Sequence, residues 1–284
     1  MEEIVSVEYR VSRDPDHDQL HSHHAYEIYM FHRGRCRYLI NNEIYELMSG
    51  DILLMDGMAL HKPNIPKDSE YVRSHLHFSP EIIQDMLKSV NATDLLNVFQ
   101  SFHHYLIRTK SNSRLLDVEN IFKKMSEINN ATDISRVEKE WEVKFLMGQL
   151  LVTINYLLKD VTSKVAEKSK GKTCHAERIV SYIQKNHHEN LTINKIANTL
   201  NLNKSYVSHV FKDMTGFTVM EYVMACRIKK AKYLLETEQH QTIKHIAQQC
   251  GFENPTHFSR YFKEKESISP KDYRNQRLQF YRRD

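Results

Sequence analysis

Two imidazoles and a carboxylate, His21, His23 and Glu27, occupy positions of one parity near the start of the chain, and another imidazole follows at His61. In an extended strand, residues of one parity point to one face, so the first three converge on one side of a sheet and His61 supplies a fourth group. Three histidines and a glutamate suit a divalent transition metal. The same side chains are good hydrogen-bond partners for the hydroxyls of a sugar. A third reading makes them histidines satisfied inside a barrel. Arg73, His75 and His77 alternate in a further expected strand and add to such a pocket. Tyr26, Tyr29, Tyr38 and Tyr45 are able to stack on a sugar ring, or simply to fill a core.

A second set of chemically informative residues lies near the other end, where the chain repeats itself. Thr192-Ile193-Asn194-Lys195-Ile196-Ala197 returns as Thr242-Ile243-Lys244-His245-Ile246-Ala247, and Ser208-His209-Val210-Phe211-Lys212 returns as Ser259-Arg260-Tyr261-Phe262-Lys263. The offset grows from 50 to 51 residues, so the second copy has a slightly longer bend. Arg260 carries a guanidinium that is able to read the O6 and N7 edge of guanine, worth about 1–3 kcal/mol of discrimination.

The elements that must position these groups follow from punctuation. Thr192 and Thr242 are expected to cap short helices that bury Ile196, Ala197 and Leu200, or Ile246, Ala247 and Cys250. Asn201 and Gly251 suit a left-handed bend. A second helix then starts at Asn203 or at Asn254, the latter followed by Pro255 at the first helical position. Val207, Val210 and Phe211, or Phe258, Tyr261 and Phe262, share its apolar face and leave Ser, His, Arg and Lys on the other. Each copy reads as helix-turn-helix. Repetition of the outward polar pattern is not required for packing, which favours DNA reading over a purely structural repeat. Between the copies, Thr218 to about Glu236 forms a helical spacer. At ~1.5 Å per residue it is roughly 28 Å long, against the roughly 34 Å of a B-DNA turn.

Toward the N-terminus, residues 27–31, 37–40, 43–47 and 51–55 are short β-branched and aromatic runs separated by Gly34, Asn41-Asn42, Ser49-Gly50 and Asp56-Gly57, the spacing of an antiparallel barrel or sandwich. After Pro80 the pattern turns helical. Asp117 to Ile128 places Ile121, Phe122, Met125 and Ile128 on one face, and Arg136 to Asp160 is one long helix carrying Trp141, Phe145, Leu150, Ile154, Leu157 and Leu158. Core and self-association are both open roles for that stripe.

Residues from about 175 to 280 resemble the DNA-binding domain of the AraC/XylS family of bacterial transcription regulators. The resemblance rests on Ile246-Ala247-x-x-Cys250-Gly251-Phe252 through Phe258-Ser259-Arg260-x-Phe262-Lys263, and on Ser269-Pro270-x-x-Tyr273-Arg274. Ser267 departs from it, standing where the family usually carries glycine, and Val219 of the first copy stands where the second has Pro270. By position, the resemblance implies base contacts from Ser205, Ser208 and His209 in one helix and from Thr256, Ser259 and Arg260 in the other. Lys212 and Lys263 would then meet phosphate, with Lys204 beside them. His21-x-His23-x-x-x-Glu27-x-x-x-x-x-x-Gly34 similarly resembles the first cupin motif, while Gly50 and His61 keep part of a second in which Asp56, Met58 and Ile65 depart from it. The resemblance implies a small β-barrel over roughly residues 5 to 80, of the kind many AraC-type regulators use to sense small molecules. It implies an effector site at His21, His23, Glu27, Tyr29, His61, Arg73 and His75, with His21, His23, Glu27 and His61 as the alternative metal set.

Charge is distributed accordingly. From residue 175 onward there are 18 Lys and Arg against 11 Asp and Glu, whereas residues 1 to 174 carry 22 against 25. The overall +4 therefore hides a basic half suited to a polyanion and a mildly acidic half. Length and a 40% hydrophobic content allow two cores. No window approaches 18 apolar residues and the first residues lack a signal-peptide pattern. Cys36, Cys174, Cys226 and Cys250 show no CxxC spacing, which fits a reduced cytoplasmic protein without a membrane partner.

The expected architecture is α+β and multidomain: a cupin-like antiparallel β-barrel plus helices over 1–162, a linker at 163–174, and an all-α domain with two helix-turn-helix units over 175–284. The expected function is a DNA-binding transcription regulator, an activator by resemblance, whose barrel binds a small effector such as a sugar, with double-stranded DNA, RNA polymerase and a second copy as partners and no obligatory cofactor. Two rivals make different predictions. A metal-dependent cupin enzyme fused to a DNA-binding module would turn over a substrate; an effector-independent architectural DNA-binding protein would bind with steep salt dependence and little sequence preference.

Overall fold

The computed structural model describes residues 5–12, 25–56, 59–102, 104–109, 112–160 and 171–281. The chain clusters into two compact units, 1–168 and 169–284.

The first unit holds two antiparallel sheets. Strands β1 (Val5–Val11), β2 (Tyr26–Gly34), β5 (Ile52–Met55), β7 (Tyr71–Phe78) and β8 (His104–Ile107) form one, in the order β1-β7-β2-β5-β8. Strands β3 (Arg37–Ile40), β4 (Glu43–Glu46) and β6 (His61–Asn64) form the other, in the order β4-β3-β6. The β3–β4 hairpin turns on Asn41 at φ 50° and Asn42, pairing Ile40 with Glu43. Asparagine tolerates that left-handed backbone better than most residues. Gly34 closes β2 at φ 112°, and a Cβ there would lie 1.7 Å from the Glu70 carbonyl oxygen, so no other residue fits.

The pleat divides the larger sheet between two cores. Tyr29, Phe31, Leu53 and Met55 pack with Tyr38, Ile40 and Ile65 between the sheets. Ile28, Met30, Ile52, Leu54 and Leu76 face the helices instead. Those helices are α1 (Glu81–Ser89), α2 (Asn97–Phe102), α3 (Arg114–Asn130) and α4 (Arg136–Asp160), with a 3-10 turn at Thr93–Leu96. Gly148 lets α4 approach α1, since a Cβ there would meet the Met86 methyl at 2.7 Å. The barrel does not end near residue 80: β8 pairs with β5 from beyond the first helices, Leu53 opposite Leu106. Four residues flanked by helix are too short for periodicity to announce them. Of its two expected roles, Tyr26 takes the one in a core. Its even parity turns it toward the helices, where it stacks on Phe99 at a centroid distance of 4.8 Å.

The second unit is all-α: α5 (Gly171–Asn186), α6 (Ile193–Leu200), α7 (Lys204–Thr215), α8 (Val219–Thr237), α9 (Ile243–Gln249), α10 (Pro255–Glu266) and α11 (Pro270–Tyr281). Most of the expected linker lies outside the described residues, but its last four residues, 171–174, are helical in α5. The buried stripe Ala176, Ile179, Val180 and Ile183 sustains that helix and its first turn extends back to Gly171. Thr192 and Thr242 cap α6 and α9 with their side chains, and α8 opens on a full capping box of Thr218 and Glu221. Leu200 is only half-buried, whereas Cys250, its counterpart, is fully buried. Ser267 takes φ 62° without being glycine and ends α10 as the turn demands. Among the described residues no helix is long and apolar enough to cross a membrane.

Candidate nucleic-acid interface and ligand pocket

Helices α7 and α10 begin alike because Asn203 and Asn254 begin them. The Asn203 carboxamide oxygen accepts from the Ser205 amide at 2.8 Å, and that of Asn254 from the Thr256 amide at 2.8 Å. One turn on, the copies still match: Ser208 Oγ donates to the Lys204 carbonyl at 3.2 Å and Ser259 Oγ to the Pro255 carbonyl at 3.0 Å. Each hydroxyl hydrogen is thereby used within its helix while the oxygen stays available to accept. Val207, Val210 and Phe211 anchor α7 and Phe258 and Phe262 anchor α10, fully buried, with Tyr261 half-buried. Thr256, Arg260 and Lys263 are exposed on α10, as are Lys204, Ser205, His209 and Lys212 on α7.

On α7 the five candidate residues line one open recess of about 620 Å³, and a sixth, Asp213, joins them. Asp213 is not among the residues expected from the repeat. It is exposed and pairs with Lys172 of α5 at 3.5 Å, so it places a carboxylate at the edge of a basic surface. The charge alternation Lys212-Asp213 was the available signal.

In the first unit, His21 and His23 lie outside the described residues. Glu27 faces the space between the sheets, as its parity with Tyr29 and Phe31 requires. It is buried, with Oε2 at 3.2 Å from His61 Nε2 and 3.3 Å from His77 Nε2. His61 is held from behind, its Nδ1 2.8 Å from the Ala59 carbonyl. A carbonyl only accepts, so Nδ1 carries the hydrogen. Burial disfavours the charged form of His77, yet the Glu27 carboxylate outweighs it and holds this imidazole above its ordinary pKa.

The β2–β7 register sets Glu27 opposite His77, Tyr29 opposite His75 and Phe31 opposite Arg73, so all six share one face. His75 Nε2 stands 3.6 Å from Glu8, and Arg73 donates to the Ser12 carbonyl at 2.9 Å while its guanidinium lies 5.3 Å from the Tyr71 ring centre. Tyr29 is buried with its hydroxyl 2.8 Å from that of Tyr71. The described part of the expected pocket is therefore a group of buried polar side chains in an aromatic wall. His77 belongs to it more closely than the sequence reading placed it, because its register partner is Glu27. Among the described residues, no three His, Cys, Asp or Glu are arranged to hold a metal ion.

Two family profiles match this chain: an AraC-like ligand binding domain over residues 5–124 and a helix-turn-helix domain over 196–276. Among curated proteins it is similar to the Msm operon regulatory protein of Streptococcus mutans, 25% identical over 88% of this chain and 84% of that one. It is similar to the Melibiose operon regulatory protein of Escherichia coli, 24% identical over 89% and 82%. It is also similar to the HTH-type transcriptional activator RhaS of Klebsiella pneumoniae, 22% identical over 90% and 87%. The chain belongs to the AraC family of transcription regulators. These three relatives are regulators, not enzymes, and the expectation of a non-enzymatic protein stands with them.

Proposed function

We propose that this regulator activates transcription in response to a sugar-like effector taken up between the sheets of its first unit. The pocket comprises His21, His23, Glu27, Tyr29, His61, Arg73 and His75. DNA is read by Ser205, Ser208 and His209 on α7 and by Thr256, Ser259 and Arg260 on α10, with Lys204, Lys212 and Lys263 on phosphates. The observation that carries the DNA assignment is the matched start of α7 and α10, in which cap, hydroxyl and exposed basic residue recur at corresponding positions. A relative named for the melibiose operon supports a sugar, and one named as a transcriptional activator supports activation with RNA polymerase as partner.

Self-association fits the surface of α4. Leu150, Ile154 and Leu157 are buried, but Trp141 and Phe145 of the same expected stripe are 58% and 72% exposed. With Val137, Val152 and Tyr156 they form a second apolar face at helical spacing. Such a face suits a second copy of the chain. An effector that favours one arrangement of barrel and helices over another would then shift the placement of the DNA-reading unit.

The test is Arg260→Ala assayed on duplexes recovered from a random-sequence pool by the unaltered protein. The expected result is relaxed preference at one base pair, with a loss there of about 1–3 kcal/mol. Uniform weakening on every sequence would make Arg260 a phosphate contact and refute its assignment.

A further inference from the structure

Helix α8 belongs to two cores at once. In its first half, Tyr222 packs on Phe211 of α7 at a centroid distance of 5.6 Å, and its hydroxyl accepts from Gln184 of α5 at 2.9 Å. In its second half, Ile228, Ala231, Leu234 and Leu235 pack with Ile246, Ala247, Phe258 and Phe262. Arg227 stands at the changeover. Its Nε donates to the His187 carbonyl at 2.8 Å and its Nη2 to the Glu189 carbonyl at 2.9 Å, both in the turn between α5 and α6. The same guanidinium lies 5.7 Å from the ring centre of Phe252, in the bend between α9 and α10.

Two further contacts join those turns. Gly251, at φ 85°, comes so close to the first turn that a Cβ would lie 2.7 Å from the His188 carbonyl oxygen. Asn190 Nδ2 donates to Glu253 at 3.1 Å. The turn that feeds the first helix-turn-helix thus seats directly on the bend of the second. Apolar packing along a helix tolerates small rotations, whereas a planar guanidinium donating to two carbonyls fixes direction as well as distance. Arg227 is half-buried, and that burial lowers its pKa from the ordinary value.

We infer that Arg227 is a positioning residue for DNA reading: with Gly251 as its steric counterpart, it sets the angle and separation of α7 and α10 and so the spacing of the two half-sites this protein accepts. The inference rests on the proposal that both helices read DNA. Linking two reading heads gains affinity only when the geometry lets both engage at once. Loosening the lock should therefore weaken two-part binding and leave one-part binding alone.

The experiment uses the full chain and a duplex that it recovers from a random pool, alongside the same duplex with one half scrambled and versions with one or two base pairs inserted between the halves. Arg227→Ala is expected to lower affinity for the intact duplex about tenfold or more, to change affinity for the half-scrambled duplex less than about twofold, and to shrink discrimination against the insertions. Arg227→Lys, which keeps the charge but not the planar fork, and Gly251→Ala, which acts from the other side of the contact, are expected to relax spacing in the same way. Equal loss on all duplexes, or unchanged spacing discrimination in all three variants, would overturn the inference. Recovery of only one-part duplexes by the unaltered protein would overturn the two-headed reading itself, and the inference with it.

Discussion

Phe262→Ala is expected to destabilise the second helix-turn-helix by about 3–5 kcal/mol, the range for deleting a buried aromatic ring. Phe262 is fully buried between Phe258 and Tyr273, at centroid distances of 5.6 and 5.5 Å. It therefore ties α10 to α11 as well as to α8 and α9. Total stability of a domain is only about 5–15 kcal/mol, so the loss would populate open forms of this region. Amide hydrogen exchange in full-length protein is the check. Exchange should accelerate in peptides from α9 to α11 and stay unchanged in β2 and β5. A change below about 1 kcal/mol would mean that the ring is not the anchor its burial implies.

Glu27→Ala is expected to have a comparable effect on the first unit, about 3 kcal/mol, because it removes a buried carboxylate that stands 3.2 Å from buried His61 and 3.3 Å from half-buried His77. His61 has no exposed surface, so water cannot readily take the place of the carboxylate beside it. Glu27→Gln should cost less, since its amide oxygen still accepts. The same exchange experiment reads the outcome with the pattern reversed: faster exchange in β2, β6 and β7, none in α7 or α10. If Glu27→Ala left the strands as protected as before, the cluster would be incidental to the fold. Response to the effector should fall in both variants, because the proposed pocket is built around this carboxylate.

Much of this architecture was readable from residue order, for identifiable reasons. The repeat announced both helix-turn-helix units because Thr caps, Asn caps and left-handed bends are local devices whose chemistry needs no tertiary context. Helix α4 was legible for its length, and Glu27 for its parity within β2. What escaped depends on contacts made at a distance. Strand β8 is four residues long and pairs with a strand some fifty residues earlier, which no local pattern records. The division of the α4 stripe into buried Leu150 and exposed Phe145 follows from which side packs on α1 and α3, since both residues are simply apolar in sequence. Arg227 reads as one more charge on an amphipathic helix until the α5–α6 carbonyls are seen beneath it. Asp213 likewise acquires meaning only when the basic residues around it share a surface.

In the proposed mode of binding, two like helices joined by the 19-residue α8 address neighbouring stretches of one duplex. At ~1.5 Å per residue α8 spans about 28 Å, and the widths of the two units bring their reach to the roughly 34 Å of a helical turn. Hydroxyl-radical footprinting of the full-length protein on the DNA adjoining its own gene, with and without candidate sugars, is the deciding experiment. Two protected patches on one face of the duplex, about 10 base pairs apart, are expected, and their strength should change when an effector sugar is added. A single patch, or protection spread evenly and indifferent to sequence, would contradict that mode of binding.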